Sequence, residues 1–116
     1  QQEQESDLDR AAQRVRKASE KQKEALRYLQ ALHANGLVGV GLLELLQAID
    51  AAPAEARLRR DLEGEALSTY TTLGRFLSKL DGLVTTTRVG TSGQSYYLRY
   101  GLSDAGAEWL AREFDL

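Results

Sequence analysis

Within residues 73–102, the spacing of the apolar residues changes from that of a helix to that of β-strands. Four apolar residues in the first part are spaced i, i+3, i+4 and i+7, as on the buried face of a helix: Leu73, Phe76, Leu77 and Leu80. An Asp-Gly pair at 81–82 ends that pattern. Residues 83–89 and 96–102 then alternate with a period of two and are separated by the turn sequence GTSGQS. The sequence therefore predicts a helix that leads directly into a β-hairpin.

The remaining segments are predicted from breakers and caps. Residues 7–35 contain neither Gly nor Pro, which favours one long helix that ends at Asn35 and Gly36. Residues 103–116 begin with Ser103, which is predicted to cap a last helix. The full prediction, in chain order, is a disordered tail at 1–6, a helix at 7–35, a small strand at 37–40, a buried helix at 41–50, a short cationic helix at 54–63, a helix at 68–81 capped by Ser68 or Thr69, strands at 83–89 and 96–102, and a helix at 103–116.

This order of elements predicts an α+β fold, mainly α with one small antiparallel hairpin. Helix, short strand, helices, hairpin and helix follow one another as in a winged helix-turn-helix domain, here with a long N-terminal helix and a short C-terminal one. Residues 36–102 would form the winged-helix core, with the wing at 83–102. The helix at 68–81 would bury one side and present the other to a DNA major groove.

The side chains on the presented side suit DNA. Arginine pairs with guanine through two hydrogen bonds, and threonine meets a thymine methyl or a phosphate. A lysine near the end of such a helix is placed for phosphate contact. The candidate DNA-binding residues are Ser68, Thr69, Tyr70, Thr71, Thr72, Arg75 and Lys79 on the helix, and Arg88, Gln94 and Arg99 on the wing. Tyr96 and Tyr100 are predicted to pack the hairpin onto the core rather than to contact bases.

Residues around the hairpin also resemble a known group of proteins. The matching residues are Leu80, Asp81, Gly82, Leu83 and Val84 at the end of the helix, then Tyr97, Leu102, Ser103 and Gly106. Over about residues 20–116 the chain resembles winged-helix regulators of the MarR and PadR type. The resemblance implies a homodimeric DNA-binding protein, usually a transcriptional repressor. The chain departs from PadR-like proteins at Gly74, where they usually carry a tyrosine, and at its wing tip GTSGQS, which is less basic than theirs. The span between the helices at 41–50 and 68–81 is also longer than a plain helix-turn-helix allows, so 54–63 is either an extra helix or the first helix of the pair.

The terminal helices are predicted to join two copies of the chain. The first half of the 7–35 helix carries a thin apolar stripe with nothing obvious to cover it, and the last helix is rich in apolar residues. The candidate dimer-interface residues are Leu8, Val15, Trp109, Leu110 and Phe114. The alternative is a monomer with a disordered N-terminal arm.

Composition limits the function classes. The chain of 116 residues fits one domain, has a net charge of −2, and lacks cysteine. Its single histidine, His33, builds neither a metal site nor a catalytic pair, so no enzyme, cofactor or metal is predicted. No apolar run suggests a membrane span, and the expected location is cytoplasmic and nucleoid-associated. Residues 54–101 hold only seven cations against five anions, so a function as a protein-interaction module remains an alternative to DNA binding. A DNA-binding role in plasmid or phage replication or partition is a further alternative.

Overall fold

The computed structural model describes residues 2–90 and 96–116, with side chains for residues 9–90 and 98–116. This part of the chain has mixed α+β structure, as predicted. Its elements are α1 (Gln2–Arg16), α2 (Glu20–Ala34), β1 (Val40–Gly41), α3 (Leu42–Ala48), a 3-10 turn (Arg59–Asp61), α4 (Gly64–Ser78), β2 (Val84–Gly90), β3 (Tyr96–Leu102) and α5 (Asp104–Phe114).

The single helix predicted over residues 7–35 is wrong, because the chain breaks at residues 17–19 and forms α1 and α2. Ser19 caps α2: its Oγ accepts from the Gln22 backbone N–H at 3.2 Å, and the Gln22 side chain accepts from the Ser19 N–H at 2.9 Å. This reciprocal capping box starts a new helix without Gly or Pro. A disordered tail was also predicted at 1–6, but residues 2–6 belong to α1, and Gln1 lies outside the described residues.

The helix predicted at 54–63 is wrong as well, because the side chains of Gln47 and Asp61 hydrogen-bond to the backbone of this segment and hold it in an irregular conformation. The Gln47 side-chain amide donates to the carbonyls of Pro53 at 3.0 Å and Ala56 at 2.9 Å. The Asp61 carboxylate accepts from the backbone N–H groups of Arg57 and Leu58 at 2.9 and 3.0 Å. These bonds lower the pKa of Asp61, the Arg57 bond most strongly. Such side-chain to backbone bonds offer the chain an alternative to helix.

The predicted helix at 68–81 begins four residues early and ends three residues early, as α4 (Gly64–Ser78). Its N-cap is Glu63, which makes no side-chain cap bond. Ser68 and Thr69 therefore lie inside the helix and do not cap it. The expected apolar face is correct, because Leu73, Phe76 and Leu77 are buried.

The three strands form one antiparallel sheet in the order β1-β3-β2. Val40 lies opposite Tyr100, and β2 pairs along all of β3 from Val84 opposite Leu102 to Gly90 opposite Tyr96. Helices and sheet share one core built mainly of leucine. Its most deeply buried large side chains are Val15, Leu26, Leu29, Leu45, Leu46, Leu73, Leu77, Leu80 and Leu110.

The last helix packs directly on the turn that precedes the hairpin. Ser103 caps α5, as predicted, because its Oγ accepts from the Gly106 N–H at 2.9 Å. The same hydroxyl donates to the Gly82 carbonyl at 2.9 Å. A Cβ on Gly106 would lie 2.3 Å from the Leu83 carbonyl oxygen. Only a glycine at this position allows the first turn of α5 to approach so closely.

Candidate nucleic-acid interface

The side of α4 that faces away from the core carries most of the predicted DNA-binding residues. Ser68, Thr72, Arg75 and Lys79 are exposed, and Thr71 is half-buried beside them. Thr69 and Tyr70 are half-buried. The structure therefore brings five of these seven residues onto one surface, which is about 17 Å long from Ser68 to Lys79 at ~1.5 Å per residue.

The threonine hydroxyls on this surface already have acceptors within the helix. Thr71 Oγ1 donates to the Leu67 carbonyl at 3.1 Å, and Thr72 Oγ1 donates to the Ser68 carbonyl at 3.0 Å. A phosphate oxygen accepts hydrogen bonds and does not donate them. Contact between these hydroxyls and phosphate would require breaking the helix bonds, whereas contact between their methyl groups and a thymine would not. The geometry therefore favours the methyl contact.

A groove of about 360 Å³ runs along α4 and is bordered by three cations, Arg59, Arg75 and Lys79. Among the residues whose side chains the structure describes, no acid lines it; the other lining residues are Leu42, Tyr70, Thr71, Gly74, Ser78 and Tyr100. Arg59 reaches it from the connector, with its guanidinium carbon 5.9 Å from the centre of the Tyr70 ring. Sequence reasoning identified the cationic segment at 54–63 but did not select Arg59 as a site residue. The cation–π contact is what attaches it to α4.

A second groove, of about 670 Å³, continues from the first toward the hairpin. The two share Leu42, Arg59, Tyr70 and Tyr100, and the second adds Leu58 and Leu98 among its apolar lining residues. Tyr100 is buried in the core, as predicted. Burial raises the pKa of its phenol, against a smaller opposing effect of the hydrogen bond with Ser78. We call the two grooves together the α4 trough. Tyr96 was predicted for the same core, but its side chain is outside the described residues.

The two hairpin cations lie on opposite faces of the sheet. Arg88 is opposite Leu98, and Arg99 is opposite Thr87. Directly opposed residues share a face, and successive residues of a strand point to opposite faces. Since Leu98 lines the trough, Arg88 is on the trough side and Arg99 is on the other side. The structure does not bring them together, and Gln94 lies outside the described residues.

The predicted dimer-interface residues are not all surface residues. Val15 and Leu110 are 0% exposed and belong to the core of the chain itself. Both side chains are already covered within one chain, so neither is available at its surface for contact with a second copy. Trp109 and Phe114 are half-buried, with ring centres 5.2 Å apart. The side chain of Leu8 is outside the described residues.

Comparison of the chain with protein-family models, curated proteins and solved structures finds no match. None of the described helices combines the length and apolar character that crossing a membrane requires. In the same described residues, His, Asp and Glu side chains form no group of three that would hold a metal ion.

Proposed function

We propose that this chain is a winged helix-turn-helix protein that binds double-stranded DNA sequence-specifically, as a homodimeric transcriptional regulator of the repressor type. In this proposal α4 enters the major groove, and the hairpin lies on the backbone or in the minor groove. The observation that carries the proposal is the α4 groove, bordered by Arg59 on the connector, Arg75 on α4 and Lys79 at the C-cap of α4, with no acidic residue among its described lining.

The architecture supports the winged-helix part of the proposal. Helix α2, strand β1, helices α3 and α4, and then the hairpin follow in the winged-helix order, and β1 pairs with the second hairpin strand. One departure is the connector of 15 residues at 49–63 between α3 and α4, where a helix-turn-helix has a turn of about three or four. Arg59 on this connector adds to the cationic border of α4.

Self-association is proposed through the half-buried Trp109 and Phe114. A two-fold axis near α5 would repeat the α4 surface on the second copy. Two such helices would have to lie about 34 Å apart to enter successive major grooves of one duplex. The expected operator is then an inverted repeat, and the expected location is the nucleoid.

The experiment is selection of bound duplexes from a random pool, followed by affinity measurements on the selected site and its single-base variants. Arg75→Ala should reduce discrimination at one base position by about 1–3 kcal/mol, which is about 5- to 150-fold. Arg112→Ala is the matched control, because it removes an exposed arginine from α5, where it pairs with Glu108 at 3.2 Å. If Arg75→Ala keeps the sequence preference of the unmodified protein, α4 is not the reading helix.

A protein-interaction module is the second candidate. Leu37 and Val38 favour it, because these consecutive apolar side chains are 56% and 80% exposed at the turn before β1. An apolar pair in this position contributes nothing to phosphate contact. If the unmodified protein binds no duplex above nonspecific levels, this second function replaces the first.

A further inference from the structure

A large excess of positive charge lies away from α4, at the corner between α1 and α2. Residues 10–27 contain seven cations and only two acids, Glu20 and Glu24. The cations are Arg10, Arg14, Arg16, Lys17, Lys21, Lys23 and Arg27. Apart from Arg10, none of them forms an ion pair with another described residue. Clustered like charges repel one another, and a bound polyanion relieves that repulsion.

These cations are divided between two flanks of the corner. Arg14 and Arg16 are two helical positions apart, about 200° around α1 at 3.6 residues per turn, with the buried Val15 between them. Lys21 and Lys23 are related in the same way on α2. Arg16, Lys23 and Arg27 border a recess of about 280 Å³ beside Phe114 and Leu116. These three therefore lie on the α5 side of the corner.

Lys21 lies on the other flank, next to the start of α4. Its Nζ donates to the Ile49 carbonyl at 3.4 Å. It also lines a recess of about 320 Å³ with two acids, Asp50 and Glu65, and with Thr69; Glu65 and Thr69 are in the first turns of α4. Glu65 does not reach ion-pair distance of Lys21 within the described structure. Lys17 is exposed at the bend between α1 and α2, four residues before Lys21 along the chain.

We propose that Lys17 and Lys21 form a second phosphate-contacting surface for the same duplex whose major groove receives α4. The partner is the DNA backbone rather than an acidic protein, because Lys21 lines the same recess as Thr69, in the first turns of the helix that would enter the major groove. A strand that flanks a major groove passes the ends of the inserted helix, and Lys21 stands beside the N-terminal end of α4. This inference rests on the proposed DNA binding and extends its footprint onto α1 and α2.

The test compares two double variants with the same change of charge. Lys17→Gln with Lys21→Gln removes the α4-side cations, and Lys23→Gln with Arg27→Gln removes two from the α5 side. Affinity for the selected duplex and for an unrelated duplex is measured as a function of salt concentration. Each lost phosphate contact lowers the slope of log K against log salt by about 0.9. The α4-side variant should therefore lose about 1.8 from its slope on both duplexes, and the α5-side variant should keep the original slope.

Two outcomes would overturn the assignment while leaving DNA binding intact. One is an original slope in the α4-side variant, and the other is an equal loss in both variants, which would indicate a general effect of net charge. Arg75→Ala on the same duplexes separates this failure from failure of the proposed function. If Arg75 controls sequence preference while Lys17 and Lys21 leave the slope unchanged, only the corner assignment is refuted. If the unmodified protein binds neither duplex, both proposals are refuted.

Discussion

Replacing Gly106 with alanine should destabilise the protein, although it improves the helix in which it lies. Alanine has a helix propensity about 1 kcal/mol more favourable than glycine. The added methyl group, however, would lie 2.3, 2.8 and 2.9 Å from the O, Cα and C atoms of Leu83. All three are backbone atoms, so no side-chain rotation relieves the overlap. Either α5 or the turn before the hairpin must move.

The magnitude follows from setting these two effects against each other. Overpacking in a well-packed site costs about 1–3 kcal/mol, and the closest of these contacts places Gly106→Ala at the upper end. After the gain in helix propensity, we expect a loss of about 2 kcal/mol in the free energy of unfolding. With an unfolding entropy of about 2.1 cal/mol/K per residue, that is a fall of about 8 °C in Tm for a chain of this length.

Gly74→Ala is the control, because it makes the same substitution inside α4. There the added methyl group would lie 3.1 Å from the Leu42 Cδ2 atom, at the end of a flexible side chain. We expect this variant to be as stable as the unmodified protein, or more stable by up to about 1 kcal/mol. Thermal and urea unfolding, followed by circular dichroism, measure both. A Gly106→Ala protein that is as stable as Gly74→Ala would refute the close packing of α5 on Leu83.

Three further predictions concern the hairpin, self-association and the connector. Arg88→Gln should lower the salt slope of DNA binding by about one unit, and Arg99→Gln should leave it unchanged; equal effects would contradict the assignment of the two side chains to opposite faces. Sedimentation equilibrium at tens of micromolar should show a dimer for the full chain and a monomer for Trp109→Ala, and a monomeric unmodified protein would end the homodimer proposal. Asp61→Asn should reduce stability at neutral pH. Because the folded-state pKa of Asp61 lies below its ordinary value of 3.8, the stabilising effect is complete above that value and is lost as the pH falls through the folded pKa. Urea unfolding of both proteins across that pH range should therefore show the difference shrinking in acid, and a constant difference would exclude Asp61 as its source.

The helix and hairpin at 73–102 could be predicted because their signals are local. The apolar spacing of α4, the Asp-Gly turn and the alternation in the strands each require only a few neighbouring residues. The Ser103 cap is local in the same way. The capping box at Ser19 and Gln22 is also a local signal, but the absence of Gly and Pro outweighed it and led to one helix instead of two.

The errors elsewhere come from contacts between segments that are distant in sequence or that compete with helix formation. Residues 54–63 of the connector have helical spacing, but the side chains of Gln47 and Asp61 hydrogen-bond to their backbone in another conformation. Val15 reads as an unpartnered apolar residue until α1 is seen to fold onto the core. The division of Arg88 and Arg99 between two faces depends on strand register, and the place of Arg59 beside α4 depends on Tyr70. Neither is encoded in a single segment.

The position of β2 at the margin of the sheet has a consequence for the behaviour of the protein at high concentration. In the order β1-β3-β2, one side of β2 pairs with β3; on its other side the Val84 N–H donates to the Leu80 carbonyl, and no further strand of the described residues pairs with it. Its middle, TTTR, is rich in residues that favour strands and carries a single charge. Open strands of this kind promote edge-to-edge aggregation, and a charged side chain on the strand opposes it. We therefore expect the charge of Arg88 to oppose aggregation through β2, whether or not a ligand is bound.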